Sequence, residues 1–297
     1  MKTIFIFSIL LFIGVISFSQ AGTLDNSFSG DGKTIIGFKF GGVSGADVCL
    51  AASIQSDGKI VLAGYSNATK VGDNNFVVMR LNTDGTFDNS FNGKGYIFID
   101  FSGDDKASAV AIQSDGKIVV AGTADYSIST GGKFAIARLL SNGLLDLSFG
   151  NFTGKVITDL GNGAIANCMA IQGNGKIVVG GEFFSSSQEC VLVRYNTDGS
   201  LDNSFGLLGK SFTDFGSGET AHSLAFQSDG KIVIGSSSSV FNVDHFLIAR
   251  FTSSGFLDGT FGNNGKTTTN FGHDDYCSKI AIQANDKNCC SWSYIHC

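Results

Sequence analysis

The sequence predicts an all-β fold built of repeated four-stranded antiparallel units, and three observations predict it. A Gln-Ser-Asp-Gly-Lys signature recurs five times: Gln55 to Lys59, Gln113 to Lys117, Gln172-Gly-Asn-Gly-Lys176, Gln227 to Lys231, and a decayed Gln283-Ala-Asn-Asp-Lys287. The glutamines stand 58, 59, 55 and 56 residues apart, and a fixed period of this size marks an array of supersecondary units. Proline is absent while glycine reaches 40 of 297 residues, so turns must come from Gly, Asn and Asp. Short β-rich runs between Asp-Gly and Asn-Gly pairs stand where helix-period patterns are missing, which reads as hairpins.

Each element follows in order. Lys2, the apolar run Ile4 to Val15, and the small residues Ser17, Ser19 and Ala21 read as a secretory signal peptide over residues 1–21, too short to span a membrane. No later stretch is long and apolar enough to cross a bilayer, so the mature chain is expected to be secreted or held at the cell surface. Units then begin near residues 24, 87, 145, 201 and 257. The first β-type run of each follows a Gly-x-Gly-Lys-like turn: Thr34-Ile-Ile, Tyr96-Ile-Phe-Ile, Val156-Ile-Thr, Ser211-Phe-Thr and Thr267-Thr-Thr. The second ends at the glutamine, as in Ala109-Val-Ala-Ile-Gln113. An Asp-Gly or Asn-Gly hairpin leads to the third, such as Ile118-Val-Val-Ala-Gly122, and the fourth ends in arginine, as in Phe76-Val-Val-Met-Arg80. Four antiparallel strands in about 57 residues cannot bury both faces alone. Packing sheet on sheet around an axis solves that problem, which makes each unit a blade of a β-propeller. The competing fold is a right-handed β-solenoid, whose coils need no two hairpins per repeat.

The ordered pattern Leu-Asp-x-Ser-Phe, then Gln-Ser-Asp-Gly-Lys-Ile-Val, then Phe-x-x-x-Arg-Leu-Asn-x-Asp-Gly resembles the delta-60 repeat β-propeller family from Leu24 to about Lys287. The resemblance implies a propeller in exported or cell-surface bacterial proteins and no defined activity. Where Ile-Val-Val-Ala-Gly should follow Lys287, Asn288-Cys-Cys-Ser-Trp292 appears. One deleted A in a codon run AAA AAT TGT TGT AGC TGG restores Lys-Ile-Val-Val-Ala-Gly. Residues 288–297 are therefore expected to be an aberrant, frameshifted tail, and about four and a half repeats to form an incomplete or open toroid. Of the seven cysteines, Cys49, Cys168, Cys190 and Cys277 are expected to be small apolar core residues rather than disulfides.

The formal charge is −6, which argues against a nucleic-acid partner. The four arginines, Arg80, Arg138, Arg194 and Arg250, occupy one repeat position, and Asp25, Asp88, Asp146, Asp202 and Asp258 another. A residue needed once per blade serves the blade, so these are expected to pair as fasteners. Adjacent acids in the loop after the first run (Asp104-Asp105, Glu219, His273-Asp274-Asp275) read as solvated charge or as calcium ligands. Groups that break the period are Glu182, Glu189 and Asp244-His245, with Asp73 and Asp125 in equivalent loops. A hydrolase acting on glycans would need them to converge. No Ser-His-Asp set, phosphate loop, dinucleotide site or zinc spacing stands out. The sequence thus nominates no catalytic, cofactor-binding or metal-binding residue and no cofactor, and predicts a chain that is not an enzyme. It predicts a binding or scaffolding protein that meets a protein or carbohydrate ligand through the variable loops Tyr65–Asn75, Thr123–Lys133, Glu182–Glu189 and Ser236–His245. A purely structural segment of a larger surface protein is a further alternative.

Overall fold

The computed structural model describes residues 23–40, 43–68, 73–127, 129, 131–185, 188–216, 218–240, 243–272 and 275–294. The expected signal segment lies outside the described residues. Four antiparallel blades follow one another, and each is formed from chain neighbours. The first is Asp47–Ile54, Ile60–Ser66, Asn75–Leu81 and Tyr96–Ile99. The second is Lys106–Ile112, Ile118–Ser127, Gly131–Leu139 and Lys155–Thr158. The third is Ala164–Ile171, Ile177–Phe184, Gln188–Tyr195 and Lys210–Thr213. The fourth is Ser223–Phe226, Ile232–Val240, Val243–Phe251 and Lys266–Thr269. A fifth unit contributes Asp275–Ile282 paired with Asn288–Tyr294. Every ladder among the described residues is antiparallel, which rules out the stacked parallel coils of a solenoid.

The sheet is out of phase with the sequence unit. The run that opens a unit pairs with the arginine-ending strand before it, Phe76 with Ile99 and Cys190 with Thr213, and so becomes the outermost strand of the preceding blade. Thr34-Ile-Ile has no such strand before it among the described residues. It is not a strand, and Ile35 is 97% exposed. The turns behave as the signature requires. Gly58, Gly116, Gly175 and Gly230 hold φ at 81–82°, a region open to glycine at no steric cost. In the decayed fifth signature Asp286 takes this place with φ 60°, a conformation that Asp tolerates through its short polar side chain.

The core sits between blades. The middle of each second strand (Ile118–Val120, Ile177–Val179, Ile232–Ile234) is fully buried, because neighbouring blades cover both faces. Burying one such side chain contributes roughly 1.5–3 kcal/mol. Phe91, Phe149 and Phe205 fill the three interfaces at one end. Above each ring lies a repeated ionic clasp. Arg138 Nε donates to Asp146 Oδ2 at 2.8 Å, its Nη2 to Ser148 Oγ at 3.0 Å, and its Nη1 to the carbonyl of Thr197 in the next blade. Its guanidinium stands 4.6 Å from the Phe149 centroid. Arg80 repeats this with Asp88, Ser90 and the Ser141 carbonyl, and Arg194 with Asp202, Ser204 and the Ser253 carbonyl. Arg250 holds Asp258 and Thr260, and no carbonyl of a following blade among the described residues. Its side chain is 18% exposed against 6–8% for the other three.

Two expectations change in detail. Cys168, Cys190 and Cys277 are free and buried as read, but Cys49 is exposed. The equivalent Cys277 packs on Gly235 of the blade before it, and no blade covers the corresponding face at Cys49. The residues read as variable loops are largely hairpin arms, since strands run on through Ser127, Phe184 and Val240. Alternating Ser, Thr and aromatic residues extend well when one face meets solvent. Asn288–Tyr294 pairs with Asp275–Ile282, Ile282 opposite Asn288 as Ile112 is opposite Ile118. Among the described residues no strand pairing joins the first blade to the last, so the toroid is not closed by a shared sheet.

Candidate functional site

The innermost strands share an irregularity that builds a site. Their pairing with the second strand slips between Cys49 and Ala51, Ala107 and Ala109, Ala166 and Cys168, and Cys277 and Lys279. Each slip is a β-bulge that leaves one residue unpaired, namely Leu50, Ser108, Asn167 and Ser278. Glycine permits it. Gly64, Gly122 and Gly181 pair with the residue just before the bulge, and a Cβ there would fall 1.8–2.1 Å from the carbonyl oxygen of Val48, Lys106 or Ile165. In the fourth blade Ser236 takes the glycine's place, and the innermost ladder ends at Ser223 opposite Gly235. His222, in the bulge position, still donates its N–H to the Gly235 carbonyl at 3.0 Å, while the Ala221 N–H turns to the Gly181 carbonyl of the third blade at 3.3 Å.

These five positions converge. Leu50, Ser108, Asn167, His222 and Ser278, with Tyr276 and Lys279, line one cavity of about 440 Å³ at the axis. The bulges lie near the starts of the innermost strands, and antiparallel geometry puts the second-to-third-strand hairpins at that same end. The cavity and the variable hairpins therefore share one face of the molecule. Two larger clefts, of about 720 and 710 Å³, are walled by outer strands and by signature residues such as Gln113, Lys117 and Arg138. Groups that every blade repeats cannot distinguish one ligand from another. The axial wall is chemically varied: an alkyl chain half exposed at Leu50, two serine hydroxyls, a carboxamide, an imidazole, a phenol and an ammonium. Ser108 Oγ donates to the Ala166 carbonyl at 2.6 Å and so helps to hold Asn167 in place. His222 Nε2 lies 3.4 Å from Ser237 Oγ.

The period-breaking acids nominated by the sequence are elsewhere. Glu182 pairs across the sheet with Cys190, and Glu189 with Phe183, so the two glutamates leave opposite faces of one blade. Glu182 accepts from Thr220 Oγ1 at 2.9 Å and from Gln188 Nε2, and burial pushes its pKa up. Glu189 accepts from Ser185 Oγ. His245 Nε2 meets Asn270 Nδ2 at 2.9 Å, and the Asp244 side chain lies outside the described residues. Asp125 pairs with Lys133 on its own blade at 3.4 Å. Among the described side chains, Glu182, Glu189 and Asp125 each have separate partners.

Three of the loop acids are not solvated charge, while Asp104 stays partly exposed beside Lys106. Asp105, Glu219 and Asp275 are buried, with exposures of 0%, 0% and 1%. Asp105 accepts from the Phe101 N–H at 2.7 Å and the Asp125 N–H at 3.1 Å, and Asp275 from the Phe271 N–H at 2.7 Å. Both oxygens of Asp105 are thus committed to tying the loop. Among the described residues no group of three His, Cys, Asp or Glu could hold a metal, and His273 and Asp274 lie outside them. Desolvation raises the Asp105 pKa to about 6 from an ordinary 3.8, outweighing the two amide bonds. The folded chain therefore holds this proton more tightly than the unfolded chain. The stability that the protonated group contributes is full below about pH 4 and is lost as pH rises through about 6, by at most about 3 kcal/mol. Denaturant titrations of wild type and Asp105→Asn at pH 4, 5, 6 and 7 should show the difference between them shrinking with pH. A constant difference would refute it.

Four stretches, residues 55–91, 113–149, 172–205 and 227–261, match the family described as a domain of unknown function (DUF5122) beta-propeller. The chain is a β-propeller repeat protein. No curated protein matches the propeller's sequence. Solved structures similar to the propeller include the extracellular domain of a one-component system from B. thetaiotaomicron, 11% identical with a TM-score of 0.42 over 84% of this chain and 26% of that one. They also include a GH43 endo-arabinanase from Bacillus licheniformis, 12% identical with a TM-score of 0.41 over 78% and 82% of the two chains. A PL25 ulvan lyase is 11% identical with a TM-score of 0.47 over 81% and 65%. The propeller thus spans about a quarter of the first of these proteins. At such identities the likeness concerns the fold alone. It corrects one expectation nonetheless: enzymes stand among the chains with this fold, so the exclusion of enzymatic activity read from the sequence is withdrawn. Among the described residues of the propeller no helix is long and apolar enough to cross a membrane.

The bulge residues escaped the sequence reading. A signal was present: five residues before each glutamine stand Leu50, Ser108, Asn167, His222 and Ser278, a variable position inside an otherwise apolar, small-residue run.

Proposed function

We propose that this propeller, whose repeat resembles the delta-60 pattern, is an exported ligand-binding protein that seats a carbohydrate in the axial cavity, beneath the variable hairpins. The observation that carries the reading is the convergence of five equivalent bulge positions, which carry four different side chains, on one cavity. A fixed framework that varies at its centre and in the hairpins above it is built to present chemistry, not merely to stand. The volume of about 440 Å³ falls in the range of roughly 300–1,000 Å³ typical of small-ligand sites. The wall's amide, hydroxyl and imidazole groups suit a ligand rich in hydroxyls. A protein partner would engage the hairpin tips instead.

A glycan array probed with wild type and with the Asn167→Ala/His222→Ala double variant tests this. Wild type should bind at least one saccharide class, and the double variant should bind it about tenfold more weakly, a change of about 1.4 kcal/mol. Saccharide binding untouched by the double variant, or none at all, would refute the axial seat.

A further inference from the structure

We propose that the group seated in the axial cavity is an anion carried on a saccharide, a carboxylate or a sulfate. This rests on the ligand-binding reading above. The chain has 26 acidic against 20 basic residues, yet none of the seven residues lining the cavity is acidic. One of the seven, Lys279, is a cation exposed at the wall. Six other lysines meet carboxylates: Lys59, Lys117, Lys176 and Lys231 of the signature reach Asp88, Asp146, Asp202 and Asp258, and Lys106 and Lys133 pair with Asp104 and Asp125; Lys155, Lys210 and Lys266 donate to backbone carbonyls on the outer strands, away from the axis. Among the described residues no carboxylate forms an ion pair with Lys279. An ammonium facing a concave wall without a counter-charge attracts anions more strongly than the same group on open surface, because the low-dielectric wall weakens screening.

The remaining groups complete the recognition. The Asn167 carboxamide offers two N–H donors, and the Tyr276 phenol and the His222 ring stand on the same wall. Hydrogen bonds to a charged acceptor are shorter and stronger than neutral ones, so a carboxylate or sulfate gains more from this wall than a hydroxyl does. The cavity is too small for a folded acidic partner and admits the end or a side group of a chain. Charge on the ligand and hydroxyl-bonding groups around it together favour an acidic saccharide over an acidic peptide.

The test uses the full chain and an array carrying four sets of probes: uronic-acid oligosaccharides, sulfated oligosaccharides, their neutral parents, and a poly-glutamate peptide. Wild type is expected to bind acidic members at least tenfold better than their neutral parents, and the two acidic sets identify which anion is taken. Lys279→Gln should lower that binding about tenfold and remove most of its dependence on salt up to about 0.5 M, with an unchanged thermal midpoint. Equal binding of neutral parents, unaffected by Lys279→Gln, would sink the charge assignment while leaving an axial saccharide site intact. Poly-glutamate bound as well as the acidic saccharides would overturn the saccharide class. Absence of all saccharide binding would remove both readings.

Discussion

Replacing Arg138 by alanine is expected to lower the free energy of unfolding by about 3–5 kcal/mol, the usual cost of leaving one member of a buried ion pair behind. Arg138 and Asp146 are 5% and 4% exposed, so water cannot take the guanidinium's place, and Lys117, 3.8 Å from Asp146 Oδ2, replaces it only in part. The same change strips the Thr197 carbonyl of its donor and uncovers the Phe149 ring, which couples the loss to the interface with the next blade. Lysine should not rescue it, because the flat guanidinium fork serves Asp146, Ser148 and Thr197 at once. Arg250→Ala should cost clearly less, since its side chain is partly exposed and it lacks the cross-blade carbonyl among the described residues. Denaturant melts of the two variants beside wild type measure this. Equal losses would show that the clasp acts within a blade and not between blades.

Gly181→Ala is the second large effect. A Cβ at this position would lie 1.9 Å from the Ile165 carbonyl oxygen and 3.0 Å from the Ala166 Cα, and backbone atoms cannot swing aside as a side-chain tip does. The innermost strand of the third blade must then move back from its partner, either ending its ladder as the fourth blade does opposite Ser236 or shifting to the spacing that the fifth unit keeps opposite Trp292. Overpacking of this kind costs about 1–3 kcal/mol and more when backbone must move. We expect at least about 3 kcal/mol here. Gly173→Ala is the control, because a methyl group there would meet nothing within 4 Å and the φ of Gly173 is not positive. It should change stability by less than about 0.5 kcal/mol. The Gly181 variant should also bind ligand poorly, since Gly181 pairs with Ala166, the residue next to Asn167 in the bulge. Matched stabilities for the two alanine variants would mean that the bulge is not held by the glycine.

The framework was legible because it is periodic. Each blade must solve the same burial problem, so Arg138 and Asp146 recur at fixed spacing, and recurrence alone exposed them as fasteners. The candidate site was not legible for the converse reason. Leu50, Ser108, Asn167, His222 and Ser278 become neighbours only when bulges turn them to a common axis, and a bulge depends on register across strands, which a linear reading does not contain. Asp105 was misread for a related reason. In sequence it sits among Gly, Ser and Asp, the company of a wet loop. Only the fold shows the Phe101 amide brought over it. The variable hairpins were placed correctly along the chain but given too much loop, because serine-rich segments such as Ser236 to Ser239 hide how well they extend when paired with Phe246 and its neighbours.

The offset between sequence unit and sheet also governs how the molecule comes apart. Each blade borrows its rim from the stretch of chain that goes on to start its successor, so covalent continuity crosses every seam. Cutting out one genetic repeat would strip an edge from the blade upstream while removing three strands downstream. A protease that nicks an Asp-Gly hairpin, by contrast, leaves both pieces laced into a common sheet, and cleaved material should keep its shape until denaturant separates it.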